Sequence, residues 1–173
     1  MIHYIEPISY LLISVVLMYG LYRIADNLIQ QMLLRQREDK RQKQVETILP
    51  LRIQAYERMC LFLERITPNQ LLLRVVPNTH SALQLQQTLL SEIREEYNHN
   101  IAQQLYLSIG TWEEINNAMN EIVTIINKSA SEVSPEEAPT LLAKKIIAMV
   151  AEMPNDPPVE ALKRLKTEFS SLF

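Results

Sequence analysis

The sequence predicts an all-α protein: an N-terminal transmembrane helix that continues into a stalk, followed by a small helical bundle. Three observations carry this. Only Gly20 and Gly110 occur in 173 residues, whereas hairpin and barrel folds need positive-φ turn positions that glycine supplies at least steric cost. Leu, Ile, Gln, Glu and Ala dominate, and the long polar stretches are built from good helix formers. Beyond residue 50, apolar residues recur at three- and four-residue steps, the period of helices with one buried face.

The boundaries predicted are an anchor over 1–24, a polar helical stalk over 25–49 and a helical domain over 50–173. Residues 7–22 contain no charged side chain. At 1.5 Å per residue such a run covers about 24 Å, a little short of a hydrocarbon core near 30 Å. Its flanks close the gap: Ile2 and Ile5 precede it, and Arg23 reaches the interface along its aliphatic stem. Tyr4 and Tyr10 at one end, and Tyr19 and Tyr22 at the other, suit an aromatic belt. Tyr4, Tyr22 and Arg23 are therefore the candidate membrane-interface residues. A cleaved signal peptide wants a basic n-region and a small-residue cleavage site, and the sequence around Arg23 to Asp26 offers neither. A buried core helix competes on length, and an interfacial helix would need a charged face that 8–22 lacks.

Arg23, Arg35 and Arg37 follow the span and only Glu6 flanks it on the other side. The positive-inside tendency then places the N-terminus outside and the remaining ~150 residues in the cytoplasm, in a single-pass inner-membrane topology. The formal net charge of −3 is uneven in the same sense. Residues 23–74 hold ten Lys/Arg against six Asp/Glu, a difference of +4, and residues 75–173 hold seven against thirteen, a difference of −6. A basic segment beside anionic headgroups gains about 1 kcal/mol per cation close to the surface. Over 35–43 a solvated mixed-charge helix is the competing reading, because Glu38 and Asp39 dilute the positive charge.

No glycine or proline interrupts 21–49, so the span is expected to run on as one helix. Ile24, Leu28 and Met32 keep a four-residue apolar spacing, and 35–44 then lacks any apolar residue, which marks a stalk. Pro50 is read as a boundary. After it, Leu51, Ala55, Met59, Phe62, Leu63 and Ile66 form one helical stripe. Cys60 lies beside that stripe and reads as a small half-buried hydrophobe; as the only cysteine it excludes an internal disulfide, which fits a reducing compartment.

Three stretches carry the capping-box pattern: Thr67 to Gln70, Thr111 to Glu114 and Ser134 to Glu137, and Asp156-Pro157 looks like a fourth helix start. They delimit a short helix over 68–74, although 71–76 also fits extended chain. A long helix over 79–107 follows, with Leu83, Leu90, Ile93, Tyr97, Ile101 and Leu105 inward. Another covers 112–128, with Trp112, Ile115, Met119, Ile122 and Ile126 inward. Leu142, Ile146, Met149 and Met153 line a fifth segment, and Val159, Leu162, Leu165, Phe169 and Leu172 a last one. Short connections between such helices predict antiparallel neighbours in a bundle.

Candidate chemistry is sparse. Glu96 and His99 form a Glu-x-x-His, half of a di-iron carboxylate motif, but no second copy exists and the other histidines are His3 and His80. Arg94, Glu95, Glu96, Asn98 and His99 nevertheless make a dense polar block, read as a candidate partner surface. Two glycines cannot build a Gly-rich phosphate loop, no triad spacing is present, and the acidic distal half disfavours nucleic acid. No catalytic residue, metal ligand or cofactor is assigned.

The runs Leu49-Pro-Leu-Arg-Ile-Gln-Ala-Tyr-Glu-Arg58, Leu61-Phe-Leu-Glu-Arg-Ile-Thr-Pro-Asn69 and Glu92-Ile-Arg-Glu-Glu-Tyr-Asn-His-Asn100 resemble an uncharacterised family from Bacteroidota. The resemblance spans nearly the whole chain and implies one N-terminal membrane helix followed by a helical cytoplasmic part. It brings no activity, cofactor or site residue.

The expectation is thus a membrane-anchored interaction or scaffolding protein without catalytic activity, with the membrane and an unidentified protein as partners. The alternative is a bundle enzyme or metal-binding protein built on Glu96 and His99. Self-association through the span stays open; Gly20 permits close approach, but Val16 and Ile24 stand where a small-xxx-small motif would need small residues.

Overall fold

The computed structural model describes residues 5–172; the side chains of 5–16, 37, 39–41, 44 and 45 lie outside the description. Among the described residues every regular element is helical: α1 (Ile5–Ile66), α2 (Pro68–Val75), α3 (Ala82–Asn100), α4 (Ile109–Ser131), α5 (Pro139–Ala151) and α6 (Pro157–Ser170). Short 3₁₀ segments, Val76–Asn78 and Ile101–Tyr106, follow α2 and α3. The chain divides into two compact units, Met1–Leu49 and Pro50–Phe173.

Among the described side chains of the first unit none is buried, and pairs along the helix support it. Gln30 Nε2 donates to Asp26 Oδ2 at 3.3 Å and Gln42 Nε2 to Glu46 Oε1 at 3.1 Å, both across one turn. Such pairs add a few tenths of a kcal/mol each. Apolar side chains from Leu17 to Leu34 stand exposed. Among the described residues no helix is long and apolar enough to cross a membrane. The predicted span falls largely on side chains outside the description, and Tyr4 lies outside the described residues altogether.

The boundary expected at Pro50 is not a helix end, for Pro50 lies inside α1. Proline there removes one N–H from the ladder, so the Glu46 carbonyl loses its helical donor. The division between the two units nevertheless falls at this residue.

The second unit is a helical bundle around one core. α4 is central to it, packing on α6, α3 and α5, while α2 lies on α3 and α5. The α1 stripe contributes Ala55, Met59, Phe62, Leu63 and Ile66, with Tyr56 beside them, all buried. Leu51, expected to lead that stripe, is 43% exposed, one residue after Pro50. The helical alternative holds for 71–76, since α2 reaches Val75.

α3 is shorter and differently rotated than expected. Ala82, Leu85, Leu89 and Ile93 are buried, the row that keeps three- and four-residue steps. Leu83 and Leu105 are 42% and 80% exposed, and Leu90 and Tyr97 only half-buried. The seven-residue step through 83, 90 and 97 drifts around a straight helix, which explains the error. α3 stops at Asn100, whose side-chain Nδ2 donates to the Glu96 carbonyl at 2.8 Å and competes for the acceptor of the next helical bond.

The helix starts also differ. α4 begins at Ile109, capped by Ser108 Oγ accepting the Thr111 N–H, so Thr111 is inside the helix and buried rather than at its cap. Ser134 to Glu137 forms a turn, and α5 starts only at Pro139. The carbonyls of Glu137 and Pro135 accept the Ala82 and Leu83 N–H groups at 2.8 and 3.0 Å. That turn therefore satisfies the start of α3 instead of opening its own helix. Thr67 and Asp156 do precede α2 and α6, without side-chain caps.

Candidate functional site

On α3 the helical period sorts the polar block into two faces. Glu92, Glu95, Glu96 and His99 fall at three- and four-residue steps on one side, and Arg94 and Asn98 on another. The first set lines an open groove of about 690 Å³. Its other wall is the polar stripe of α1 in the same unit: Gln54, Glu57, Arg58, Leu61 and Arg65. Of the five residues singled out in this block, the structure brings Glu95, Glu96 and His99 to the groove and leaves Arg94 and Asn98 exposed outside its lining. Tyr22 and Arg23 belong to the other unit and are exposed.

Arg65 Nη1 bonds Glu96 Oε2 at 3.1 Å and ties the two walls. Asn100 Nδ2 also approaches Glu96 Oε1 at 3.4 Å. Just beyond, Arg74 Nη2 meets Glu92 Oε2 at 3.0 Å, and Ser91 Oγ donates to Glu95 Oε1 at 3.0 Å. Four carboxylates (Glu57, Glu92, Glu95 and Glu96) and two guanidinium groups (Arg58 and Arg65) line it, and with Arg74 paired to Glu92 from just outside, the carboxylates exceed the cations by one. Glu57 and Glu95 make no ion pair among the described residues. The groove is therefore acidic in excess and suits a ligand that carries positive charge.

The wall behind is aromatic. Tyr97 is tilted against Phe62 at a centroid distance of 6.2 Å and stacks on Trp112 at 5.8 Å, joining α1, α3 and α4. These rings hold α3 against α1, so the groove's width is set by core packing rather than by its ion pairs. The Glu96 carboxylate is spoken for by Arg65, and among the described residues no group of three His, Cys, Asp or Glu is placed to hold a metal ion.

A second polar cluster had no counterpart in the sequence reading. Glu168 on α6 accepts the Tyr56 hydroxyl at 2.6 Å and the Ser108 N–H at 2.8 Å on Oε1, and the Ser108 hydroxyl at 2.6 Å on Oε2. Burial alone would raise its pKa, but the hydroxyls of Ser108 and Tyr56, the Thr111 side chain and the Ser108 N–H bring it down to about 2. Burial, with Glu168 beside it, pushes the Tyr56 hydroxyl above its ordinary value. In a capping box the third helical residue supplies the carboxylate for the cap N–H. In α4 that position is Thr111, and Glu168 supplies the carboxylate from 60 residues away. Tyr56 and Phe169 meet edge to face at 5.4 Å beside it. Burial also raises the Cys60 thiol, which disfavours the nucleophilic thiolate.

The α1 wall of the groove was missed, although its signal was present. Residues 54, 57, 58, 61 and 65 keep the same period as the apolar stripe and are polar save for Leu61. Ser81 to Gln84 was a further legible cap: Ser81 Oγ accepts the Gln84 N–H at 3.2 Å, and Gln84 Oε1 the His80 N–H at 2.9 Å.

Compared with known proteins, the chain matches the model of a family of unknown function (DUF7935) over residues 2–172. No curated protein and no solved structure matches it. The match carries neither an organism nor a membrane anchor.

Proposed function

The chain belongs to that family of unknown function, and from its own residues we propose that it is a membrane-anchored helical interaction protein, without catalytic activity. The acidic groove between α1 and α3 holds a basic segment of a protein partner. The observation that carries this reading is the groove itself: an open channel with excess carboxylates, in which Leu61 is 55% exposed among charged neighbours. An exposed apolar residue ringed by polar groups is the usual make-up of a contact patch.

The anchor enters from sequence. The uncharged run over 7–22, with Tyr22 and Arg23 exposed at its end, supports a single span with the N-terminus outside and the bundle in the cytoplasm. Alkaline extraction of membranes tests the anchor; release of the protein into the supernatant would overturn it.

A photo-crosslinking residue at position 61 of the full chain, in cells, tests the groove, with position 105 as the exposed control. Crosslinks to a defined protein at 61 and not at 105 support it. Equal labelling at both positions, or none at 61, counts against it. The metal-binding alternative through Glu96 and His99 is decided by elemental analysis of protein purified without chelator: stoichiometric Fe, Mn or Zn would displace the present reading.

A further inference from the structure

We infer that a second groove, between α2 and α5, takes an acidic amphipathic helix of a protein partner. α5 is apolar nearly all round: apart from Thr140, Lys144 and Lys145, its 13 residues are Pro, Leu, Ala, Ile, Met and Val. Such a helix is ordinarily covered on every side, and here one side is left open. Leu142 and Ile146 are buried against the bundle, whereas Ile147, Ala148 and Ala151 are exposed. α2 repeats the pattern beside it: Leu71, Leu72 and Val75 are buried, and Leu73 is 75% exposed. Asn69, Leu72, Leu73 and Val76 on one wall, and Lys144, Ile147, Ala148 and Ala151 on the other, line an open groove of about 550 Å³. Each set keeps the spacing of a single helix face.

Charge and hydrogen bonding choose the occupant. No Asp or Glu occurs over 67–91 or 138–151, although residues 75–173 as a whole carry a net −6. The charged side chains of α2 and α5 are all cations: Arg74, Lys144 and Lys145. Arg74 pairs with Glu92 and Lys145 with Glu132, while Lys144 makes no ion pair among the described residues. A carboxylate entering the groove therefore meets an unmatched lysine and no like charge in the lining. Among the described residues, Asn69 and Lys144 are the polar side chains of that lining. An extended peptide would lose water from its backbone there without gaining partners, whereas a helix brings its own backbone bonds. A bare acyl chain fits the apolar floor but leaves its outer side wet in an open groove. An amphipathic helix turns its polar side outward. The groove between α1 and α3 calls for a partner of the opposite charge, so the two surfaces do not compete for one segment.

The probe is a labelled peptide of alanine, leucine and glutamate, with leucines at i, i+3, i+4 and i+7 and glutamates beside them. The same peptide with glutamine for glutamate is its reference. Binding to the full chain in phosphatidylcholine nanodiscs is followed by fluorescence anisotropy, with empty discs as the blank. The glutamate peptide is expected to bind several-fold more tightly than the glutamine peptide. Lys144→Glu should remove that preference, and Leu73→Gln with Ile147→Gln should remove binding of both peptides. All three positions are exposed, so thermal unfolding of the variants should match wild type. Equal affinity for the two peptides, a preference that survives Lys144→Glu, or binding that survives Leu73→Gln with Ile147→Gln would overturn the inference. Failure of both peptides to bind would overturn it too, and dodecanoate bound in their place would assign the groove to a fatty acid.

Discussion

Glu96 and Glu168 are both half-buried carboxylates that join α1 to a helix far along the chain, yet their surroundings differ. Glu96 meets a guanidinium whose side chain is 53% exposed, at the edge of an open groove. Glu168 meets two hydroxyls and an N–H, fixed by the start of α4 and the body of α1. A carboxylate whose partners are neutral and fixed by a helix start and a buried ring acts as a clasp. One whose partner is a long exposed arginine is held by a contact that water can reach and screen. The difference teaches that burial of a charged group says less about its role than the mobility and solvation of what it touches.

Loss of the frame behind the groove should be the largest effect. Phe62 is fully buried and packs against Tyr97, so Phe62→Ala is expected to lower unfolding free energy by about 3–5 kcal/mol in a urea titration. A loss near zero would mean that the rings do not set the spacing of α1 and α3.

The clasp comes next. Glu168→Ala leaves the Tyr56 hydroxyl and both Ser108 donors without their acceptor, a loss of about 2–3 kcal/mol, and Tyr56→Phe removes one bond for about 1 kcal/mol. The pH dependence sharpens the contrast. The folded Glu168 carboxyl sits at about 2, below its ordinary 4.5. Its contribution is therefore fully present above that ordinary value and is lost as pH falls through the folded one. The stability gap between wild type and Glu168→Gln should shrink across that window; a gap unchanged from neutral pH down to 2 would remove the clasp.

The groove pair should matter least for stability. Arg65→Ala and Glu96→Ala are each expected to cost no more than about 1 kcal/mol, since an exposed ion pair gains little in water. A larger loss in thermal unfolding would make the pair structural and merge the two clusters into one class.

Much of the helical layout was legible because it rests on local physics. The α1 stripe from Ala55 to Ile66 and the α4 row of Ile115, Ile122 and Ile126 follow directly from periodicity. The α3 face was misjudged because a seven-residue step mimics a stripe for two turns before drifting. Half of the groove was visible in Glu95, Glu96 and His99, which share one element. The other half needed α1 and α3 side by side, which no local pattern encodes. Glu168 was illegible for the same reason: its cap partner, Ser108, lies 60 residues away and Tyr56 lies 112 away.

The groove's claim to a partner meets its most direct test in Glu57→Lys with Glu95→Lys, two exposed lining residues without ion pairs among the described ones. Tagged full-length wild type and the double variant would be purified in mild detergent, with their bound proteins compared by mass spectrometry and their thermal unfolding measured in parallel. The account predicts that a specific bound protein is lost from the variant while unfolding stays unchanged. The same bound proteins on both chains, or none on wild type, would contradict it.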